Sequence, residues 1–378
     1  MPKVLITATV ASMIDLFNMN NIEILQNMGY EVHVAANFVN GNVTSNSRLI
    51  EFKKELDKKK VKYYNIEFSR DAFDLKTHFQ TYKEFLNLCK INDYEFIHTQ
   101  TPIAGAITRL VAHKLKIKNI YMAHGFHFFK GAPLKNWIIY FPIEKFLSRY
   151  TDVLVTINKE DYNSSKKFHA KKNVLVHGVG INTNIKQTDS IILEDLRSSL
   201  NILPDDVVFI SVGELNDNKN HSVAIEAFKS LEKLNFKYFI VGKGPNYDKL
   251  EAAINDNDLN EKIKLLGYRQ DIIDLLQVSD VFLFPSYREG LSKALMEAMS
   301  FGLPIVASKI RGNTDLVIEN KGGYFFEPSN SEELSSKLLN IYQGEDKRRT
   351  FSEFNKKKIK EFDIDKVNNE MTEIFLSM

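Results

Sequence analysis

The most informative stretch of the chain reads Val281-Phe-Leu-Phe-Pro-Ser-Tyr-Arg-Glu-Gly-Leu-Ser-Lys-Ala-Leu-Met-Glu-Ala-Met-Ser-Phe-Gly-Leu-Pro-Ile-Val-Ala-Ser308. It opens on a continuous apolar run that stops at Pro285, as expected of a strand buried in a parallel sheet. Ser292 is a suitable N-cap for the helix that follows, and Gly302-Leu-Pro304 would end that helix. The stretch therefore predicts a strand, a loop, a helix, a turn and a second strand.

Two carboxylates flank the junction between this loop and this helix. Glu289 lies in the loop, and Glu297 lies about one turn inside the helix. The N–H groups that follow Gly290 can hold an anion, and carboxylates accept hydrogen bonds from hydroxyl groups. A simpler interpretation is also open: Glu297 pairs with Lys293 four residues earlier, and Glu289 is an exposed loop charge.

The rest of the chain repeats the alternation of strand and helix. This rhythm predicts an α/β fold with two doubly wound, Rossmann-like domains whose ligands bind at the carboxyl ends of the strands. We expect an N-terminal domain over 1–185 and a C-terminal domain over 186–359, joined by a polar linker near 178–189 and facing a cleft. A closing helix within 360–378 is expected to pack back on the first domain. The predicted strands are 4–9, 31–36, 63–68, 96–101, 120–124, 153–157, 174–177, 207–212, 238–241, 263–266, 281–284, 305–307 and 324–326. The clearest predicted helices are 221–234 and 331–342.

Composition narrows the class of protein. The chain has 378 residues, of which 44% are hydrophobic and 26% charged, as in ordinary globular proteins. Its single cysteine, Cys89, excludes an intrachain disulfide, and its place in a helical pattern suggests a core residue rather than a nucleophile. No run approaches the ~18–20 apolar residues of a membrane span, and the N-terminus resembles a strand rather than a signal peptide. We therefore expect a cytoplasmic protein.

The net charge of +2 conceals an asymmetry between the two halves. Residues 1–185 contain 25 Lys and Arg against 16 Asp and Glu, whereas the remainder contains 25 against 32. A basic half favours an anionic surface or substrate, although solvated lysines such as those at 58–60 explain the excess equally well. Basic residues do not alternate with aromatic ones in a nucleic-acid-binding pattern, so nucleic acid is not expected as a partner.

Polar residues follow three strands of the second half. The first strand leads through Gly213 to Lys219, in a position where a lysine can neutralise a phosphate. The next strands end in Gly242-Lys-Gly-Pro245 and Gly267-Tyr-Arg-Gln-Asp271, where glycines allow a ligand to approach the backbone. Neither a G-x-G-x-x-G fingerprint after a strand nor a Walker A lysine motif is present, which argues against a dehydrogenase and a P-loop NTPase.

Taken together, these motifs resemble the donor-binding signature of family-four GT-B retaining glycosyltransferases of bacterial surface polysaccharide synthesis. Seven residues separate Glu289 from Glu297, and the strand-end loops, with Arg311-Gly-Asn313, fall in the order of that family. The stretch Ala123-His-Gly-Phe-His-Phe-Phe-Lys-Gly-Ala-Pro133 is similar to its surface-polysaccharide branch. The resemblance covers nearly the whole chain and implies a hexosyltransferase or N-acetylhexosaminyltransferase.

The resemblance implies a role for each matching residue. Glu297 would accept hydrogen bonds from the ribose, Glu289 would contact the donor sugar, and Lys219 would hold the diphosphate with the N–H groups after Gly290. His124 would face the donor sugar from the first domain. The implied catalytic residues are His124, Glu289 and Lys219. The implied donor-binding residues are Gly213, Lys219, Gly242, Tyr268, Arg269, Glu289, Gly290, Leu291, Ser292, Lys293 and Glu297.

Two positions depart from the family pattern. Many members carry an arginine after the glycine that matches Gly213, but this chain has Glu214. A carboxylate cannot hold a diphosphate, so Lys219 would need a second cation, and Lys243, Lys293 and Arg269 are the candidates. The family's glycine-rich N-terminal loop is replaced by Ala8-Thr-Val-Ala-Ser12, and the resemblance implies that a loop over 9–13 lies near the diphosphate and the acceptor.

The chemistry that follows is transfer of a sugar from a nucleotide diphosphate sugar, expected to be UDP-linked, with retention of configuration. Charge builds on the leaving diphosphate, and a lysine with helix N–H groups can stabilise it without a metal or another cofactor. The segment 126–149 is rich in aromatic and basic residues, as interfacial membrane segments are, or else it is a helix packed in its own domain. With the basic first half, it favours a glycan or undecaprenyl-diphosphate-linked acceptor at the inner face of an anionic membrane.

Two other functions are compatible with the sequence. Glu214 and the altered N-terminal loop would suit a nucleotide-sugar-binding or scaffold protein without turnover. A nucleotide-sugar epimerase would use the donor site without an acceptor. Binding without turnover distinguishes the first from a transferase, and analysis of the product sugar distinguishes the second.

Overall fold

The computed structural model describes residues 1–42 and 44–378. The chain forms two compact units, which we call unit 1 (Met1–Gly180 with Asp365–Met378) and unit 2 (Ile181–Ile364). Each unit is a parallel sheet with helices on both faces. None of the helices in the described part of the chain is both long and apolar enough to cross a membrane.

Unit 1 contains a seven-stranded sheet in the order β3-β2-β1-β4-β5-β6-β7, and every pairing in it is parallel. Its strands are β1 Lys3–Val10, β2 Glu31–Asn37, β3 Lys62–Asn65, β4 Tyr94–Gln100, β5 Lys118–Ala123, β6 Val153–Thr156 and β7 Lys172–Leu175. Its helices are α1 Ala11–Phe17, α2 Met19–Asn27, α3 Asn46–Lys58, α4 Leu75–Asn92, α5 Pro102–Leu115, α6 Leu134–Leu147 and α7 Lys159–Ser165.

Unit 2 contains a six-stranded parallel sheet in the order β10-β9-β8-β11-β12-β13. Its strands are β8 Val207–Val212, β9 Phe236–Val241, β10 Ile263–Gly267, β11 Val281–Phe284, β12 Ile305–Ser308 and β13 Gly323–Phe326. Its helices are α8 Ser190–Ser199, α9 His221–Lys229, α10 Tyr247–Asp256, α11 Ile272–Gln277, α12 Lys293–Ser300, α13 Asn313–Leu316, α14 Ser331–Gln343 and α15 Glu345–Lys358. The last helix is α16 Ile364–Leu376. It begins at the last residue of unit 2, and all its other residues belong to unit 1.

The predicted fold class is confirmed, and each of the thirteen predicted strands overlaps an observed one, although β3 ends at Asn65 rather than at 68 and β7 spans Lys172–Leu175 rather than 174–177. The strands are recognisable because both faces of each sheet are covered, so that central strands are continuously apolar. In β11, for example, all four residues from Val281 to Phe284 are buried, and successive side chains enter the cores on opposite faces of the sheet. Burying one such side chain contributes about 1.5–3 kcal/mol.

In each sheet, the order of the strands reverses direction at one place. In unit 1 the chain moves outward from β1 through β2 to β3 and then returns to β4 on the other side of β1. In unit 2 the chain likewise moves outward from β8 through β9 to β10 and then returns to β11 on the other side of β8. The loops after such a pair of strands diverge and leave a crevice at the carboxyl ends, which is where α/β sheets bind ligands.

The helix α16 packs on unit 1. The Phe375 ring stacks on Phe96 at 6.0 Å and meets the edge of the buried His98 ring at 5.7 Å. Glu370, also on α16, accepts a hydrogen bond from the backbone N–H of His177 at 3.0 Å, and its carboxylate contacts the Nδ1 atom of His177 at 2.6 Å. Stacked rings and a charged contact therefore anchor this helix along its length.

Two local predictions are wrong. The segment 9–13 is not a loop: Thr9 and Val10 are the end of β1, and Ala11 begins α1 directly. Without glycine, the strand passes into the helix with no intervening turn. The helix predicted over 221–234 ends at Lys229, because Leu231 and Leu234 donate to carbonyls only three residues back and so form turns.

Candidate functional site

The donor-site residues expected from the sequence lie at one edge of unit 2. Gly213 and Lys219 follow β8, Gly242 follows β9, Tyr268 and Arg269 follow β10, and Glu289 to Glu297 follow β11. These four strands are adjacent in the order β10-β9-β8-β11 and all parallel, so their carboxyl ends meet at the same edge. His124 belongs to unit 1 and is described separately below.

Lys219 and Glu289 form an ion pair across the reversal between β8 and β11. The distance from Lys219 Nζ to Glu289 Oε1 is 2.7 Å, and the side chains are only 19% and 13% exposed. The ammonium also lies 5.0 Å from the centre of the Phe284 ring. Neither residue is therefore an exposed loop charge, and each is held at the place where the sheet opens its crevice.

The two loops that carry this pair are tied together by two asparagines. Asn218 Nδ2 donates to the carbonyl of Arg288 at 3.0 Å, and the backbone carbonyl of Asn218 accepts from the N–H of Tyr287 at 2.8 Å. Asn220 Nδ2 donates to the carbonyl of Pro285 at 3.2 Å. The Asn-Asp-Asn-Lys-Asn run after β8 therefore fixes the position of Lys219 relative to Glu289.

Glycines bring three neighbouring strand ends into close contact. The N–H of Gly213 donates to Val241 O at 2.9 Å, and the N–H of Gly242 donates to Gly267 O at 2.8 Å. Gly242 has φ +152°, and a Cβ atom there would lie 1.8 Å from the carbonyl oxygen of Gly213. Any side chain at this position would collide with backbone, which explains the glycine that the sequence places there.

The ends of α12 are specified as the sequence predicts. Ser292 Oγ accepts from the N–H of Leu295 at 3.4 Å, and the N–H groups of Gly302 and Leu303 bond to Met299 O and Ala298 O in a Schellman pattern. The first N–H groups of the helix, at Lys293 and Ala294, have no acceptor within the helix itself. In doubly wound sheets, the helix that follows a strand begins at the carboxyl end of that strand, where its first N–H groups can bind an anion.

A second loop supports the segment between Glu289 and α12. A Cβ atom on Gly312 would lie 1.5 Å from the carbonyl oxygen of Gly290, so the two backbones touch. Arg311 Nε donates to the carbonyl of Glu289 at 3.2 Å. The Arg311-Gly-Asn313 motif therefore positions the donor-side loop from behind.

Glu297 has a different environment from Glu289. Lys293 Nζ lies 3.6 Å from Glu297 Oε1, and the lysine is 60% exposed, so this pair contributes little. Burial raises the pKa of the Glu297 carboxyl above its usual value, and Lys293 offsets that shift only in part. The carboxylate is thus held at a cost, which is typical of groups whose charge is used for binding.

The structure shows how the remaining cations near the site are engaged. Arg269 forms a bidentate pair with Asp271, which lowers the pKa of that carboxyl. Lys243 lies 5.8 Å from the ring centre of the exposed Tyr268. Glu214, at the position of the family arginine, is exposed and accepts from Asn216 Nδ2 at 2.9 Å.

At the corresponding place in unit 1, two threonines join the ends of β1 and β4. The hydroxyl oxygens of Thr9 and Thr101 lie 2.8 Å apart, and the N–H of Thr9 donates to Thr101 Oγ1 at 3.0 Å. Thr101 has φ +75°, a conformation that strains a β-branched residue. Strain of this kind costs about 1–3 kcal/mol and is concentrated at functional sites.

Behind these threonines lies a buried polar chain centred on Gln100. Gln100 Oε1 accepts from His124 Nε2 at 2.7 Å, while Gln100 Nε2 donates to Asn18 Oδ1 at 2.5 Å and to His98 Nε2 at 3.0 Å. This network places the proton of His124 on Nε2 and leaves Nδ1 as an acceptor. Burial lowers the pKa of His124 to about 4, so the ring is neutral near pH 7.

Sequence reasoning found His124 but missed Thr9, Thr101 and Gln100 as individual site residues. A usable signal is present, because β4 ends in His98-Thr-Gln100, a polar run in a strand that is buried at every position after Glu95, and Thr101 follows directly. Buried polar groups require partners, and three in succession at a carboxyl end indicate a built network.

Two further predictions can be compared with the structure. Cys89 is buried in the core of unit 1, and burial raises the pKa of its thiol to about 12, which confirms a core residue. Asp363, before α16, accepts a hydrogen bond from Thr183, in line with its interpretation as a helix start. Among residues 1–42 and 44–378, no group of three or more His, Cys, Asp and Glu side chains is arranged to hold a metal.

Two doubly wound units, with crevices at the β1/β4 and β8/β11 reversals, define the GT-B class of fold. A solved structure of Anabaena HepE in complex with UDP and glucose has this fold, with a TM-score of 0.79 at 18% identity over 100% of both chains. The model of glycosyl transferases group 1 matches residues 193–358, and that of glycosyltransferase family 4 matches residues 19–184.

Two curated relatives are also glycosyltransferases. The putative glycosyltransferase EpsD of Bacillus subtilis is 30% identical over 99% of this chain and 96% of its own length. The UDP-Gal:α-D-GlcNAc-diphosphoundecaprenol α-1,3-galactosyltransferase of Escherichia coli is 30% identical over 78% of this chain and 81% of its own. The chain belongs to the family-four glycosyltransferases of bacterial polysaccharide biosynthesis.

Proposed function

We propose that the protein is a retaining glycosyltransferase that moves a sugar from a UDP-sugar to a lipid-linked glycan acceptor. The observation that carries the proposal is the largely shielded pair of Lys219 and Glu289 at the β8/β11 reversal, with Glu289 four residues before the start of α12. Cation, carboxylate and free N–H groups are the chemical set that a sugar diphosphate requires. The Escherichia coli relative, whose name specifies UDP-galactose and a diphosphoundecaprenol acceptor, supports the choice of substrates.

On the donor side, each group has a distinct role. Lys219 uses one N–H for Glu289 and has two more for the diphosphate, since an ammonium has three donors. The N–H groups of α12 bind the same anion. Glu297 accepts from the ribose hydroxyls, and the backbone at Tyr268 faces the base. Gly213 and Gly242 leave room for the nucleotide to approach the sheet edge.

The reaction exchanges one bond for another at the anomeric carbon. The bond from that carbon to the diphosphate oxygen breaks, and UDP leaves with the electron pair. The acceptor oxygen forms its bond on the same face, and its proton passes to the leaving phosphate oxygen. Lys219 and the α12 N–H groups stabilise the developing negative charge, for which one such donor contributes about 10²–10³ in rate. Because these groups supply positive charge, we propose a metal-independent reaction.

In unit 1 we assign His124 to binding of the donor sugar rather than to proton transfer. Its neutral ring is fixed by Gln100, so that Nδ1 is available to accept from a sugar hydroxyl. A base with a pKa of about 4 would be weak near pH 7.

Turnover tests the donor site. UDP release from candidate UDP-sugars should fall at least 100-fold in Glu289→Gln and Lys219→Ala. The matched controls Glu226→Gln and Lys229→Ala, at exposed positions of α9, should retain full activity. Chelator should leave the rate unchanged. Near-normal transfer by both site variants would contradict the assignment, and donor binding without any transfer would favour a scaffold.

A further inference from the structure

Unit 1 contains a cavity of about 550 Å³ between α5 and α6. Its lining includes Thr9 and Thr101, which lie at the carboxyl ends of β1 and β4, and the aromatic rings of Phe126 and Phe128. Most of the remaining lining is apolar side chains of the two helices, namely Ile103, Ala106, Ile107, Leu110, Ile143 and Leu147. The cavity is therefore mainly apolar and also contacts the polar strand ends of unit 1.

The charged group in the wall is neutralised from within the protein. Glu144 lines the cavity, but it accepts from the buried Arg109 at 2.8 Å and from the Tyr121 hydroxyl at 3.3 Å. Arg109 also lies 4.0 Å over the Tyr121 ring. A buried pair of this kind does not attract a charged ligand, so the lining near Glu144 remains suited to hydrocarbon.

Other lining residues are polar or basic. They are Arg70, His78 and His127, together with the two threonines. Arg70 is exposed and donates to the carbonyl of Gly41 at 2.9 Å, which leaves other N–H groups of its guanidinium for an anion. A mainly apolar cavity with a solvent-exposed cation in its lining is complementary to a molecule with a hydrocarbon chain and an anionic head.

The outer face of α6 continues the apolar surface to solvent. Leu134 is 73% exposed and Ile138 is 65% exposed, and Ile143 and Phe146 are each about half exposed. Lys130, Lys135 and Arg149 are exposed around them. Apolar side chains ringed by basic ones are typical of a helix that lies in the surface of an anionic bilayer.

We propose that this cavity binds the first isoprenoid units of a polyprenyl-diphosphate-linked acceptor, with α6 lying at the membrane surface from which the chain enters. The inference rests on the proposed function, because it assumes an acceptor with a lipid carrier. At about 30 Å³ per non-hydrogen atom, the volume of a water molecule in the liquid, the cavity holds roughly 18 atoms. Three to four isoprenoid units of five carbons each fill that space, and the rest of a longer chain remains in the bilayer.

Chain-length dependence of binding tests the proposal without donor or turnover. Trp137 is the single tryptophan of the chain, and its ring lies 5.5 Å from the ring of Phe128, which lines the cavity. Its fluorescence can follow titration with dimethylallyl, geranyl, farnesyl and geranylgeranyl diphosphates below their aggregation limits. We expect at least tenfold tighter binding from dimethylallyl to farnesyl and a plateau from farnesyl to geranylgeranyl.

Two variants fill the space from opposite walls. Ala106→Phe on α5 and Ile143→Phe on α6 should each weaken farnesyl diphosphate binding at least tenfold. The control Ala252→Phe, at an exposed position of α10, introduces the same side chain outside the cavity and should bind as the parent does. An unchanged melting temperature would show that the variants are folded.

The outcomes separate this inference from the proposed function. Inorganic diphosphate binding as tightly as farnesyl diphosphate, or unaltered binding in both filled variants, would overturn the cavity assignment. Transfer to short soluble acceptors would still support the transferase in that case. Chain-length-dependent binding without any sugar transfer would uphold the cavity and contradict the enzyme's proposed acceptor reaction.

Discussion

The two glutamates of the donor-side segment are chemically distinct because their neighbours differ. Glu289 has the Lys219 ammonium at 2.7 Å, whereas Glu297 has the exposed Lys293 at 3.6 Å and is partly shielded from water. Burial therefore raises the pKa of Glu297. Two carboxylates on one short segment thus have different charged neighbours.

This difference predicts a pH dependence of donor binding. As the pH falls, Glu297 takes up a proton earlier than an ordinary carboxyl and loses its strength as an acceptor for the ribose. Affinity for a UDP-sugar, measured by calorimetry, should be at least threefold weaker at pH 5.0 than at pH 7.5. Glu297→Gln should bind weakly at both values and lose the dependence, whereas a dependence kept in that variant would exclude Glu297 as its source.

At the scale of elements, α12 is a helix of eight residues with both ends specified by the sequence. Ser292 caps its start, and Gly302, at φ +77°, ends it. Short helices gain little from propensity, so such caps decide where they begin. The start of α12 matters because its N–H groups are assigned to the diphosphate.

Substitution of the cap separates stability from binding. Ser292→Asp keeps an N-cap and favours the helix dipole, so the unfolding free energy should stay within about 0.5 kcal/mol of the parent. Its negative charge should nevertheless weaken UDP-sugar binding at least tenfold. Ser292→Asn, a neutral cap, should preserve both properties. Equal binding by the two variants, measured by calorimetry, would show that no anion lies at this helix end.

The helix α6 shows where sequence patterns at this scale are insufficient. The sequence of this segment is compatible with a packed helix or with an interfacial one. In the structure, some of its side chains are packed and others are exposed to solvent. Phe128, Trp137 and Phe141 pack with one another, while Leu134 and Ile138 on the same helical segment face solvent. A helix that is apolar nearly all round does not reveal from its periodicity which side is covered.

At the scale of the whole molecule, each unit contains a histidine buried as a neutral ring. His98 in unit 1 and His221 in unit 2 are almost fully buried, and burial lowers the pKa of each to about 3. Below pH 6.5 the unfolded chain takes up protons at these residues while the folded chain does not. The contribution of these two histidines to the free energy of unfolding is therefore complete above pH 6.5 and is lost as the pH falls toward 3.

The expected loss is about 2 kcal/mol per histidine at pH 5, or roughly 4–8 °C in Tm for a unit of this size. Neither ring nitrogen of His221 has a hydrogen-bond partner among residues 1–42 and 44–378. His221→Phe should therefore cost little at pH 7.5 and should reduce the acid shift of unit 2. Calorimetric scans of parent and variant at both pH values test this, and an unreduced shift would assign the acid sensitivity to other groups.

Local sequence patterns are sufficient to predict the two sheets and the donor-side loops. Apolar runs buried on both faces specify strands, and local chemistry specifies the cap at Ser292, the stop at Gly302 and the glycine at 242. The pairing of Glu289 with Lys219 could not be derived in this way, because 70 residues separate them and only the strand order brings them together.

Which polar residues act together, and where apolar surface stays uncovered, depends on how the helices and strands pack. Gln100 contacts His124, which lies 24 residues later, and Asn18, which lies 82 residues earlier, so only the packing of the elements brings the three together. The cavity between α5 and α6 exists because two helices with apolar faces do not fill the space between them. Sequence periodicity records which residues are apolar, whereas the packing of elements determines which of them touch.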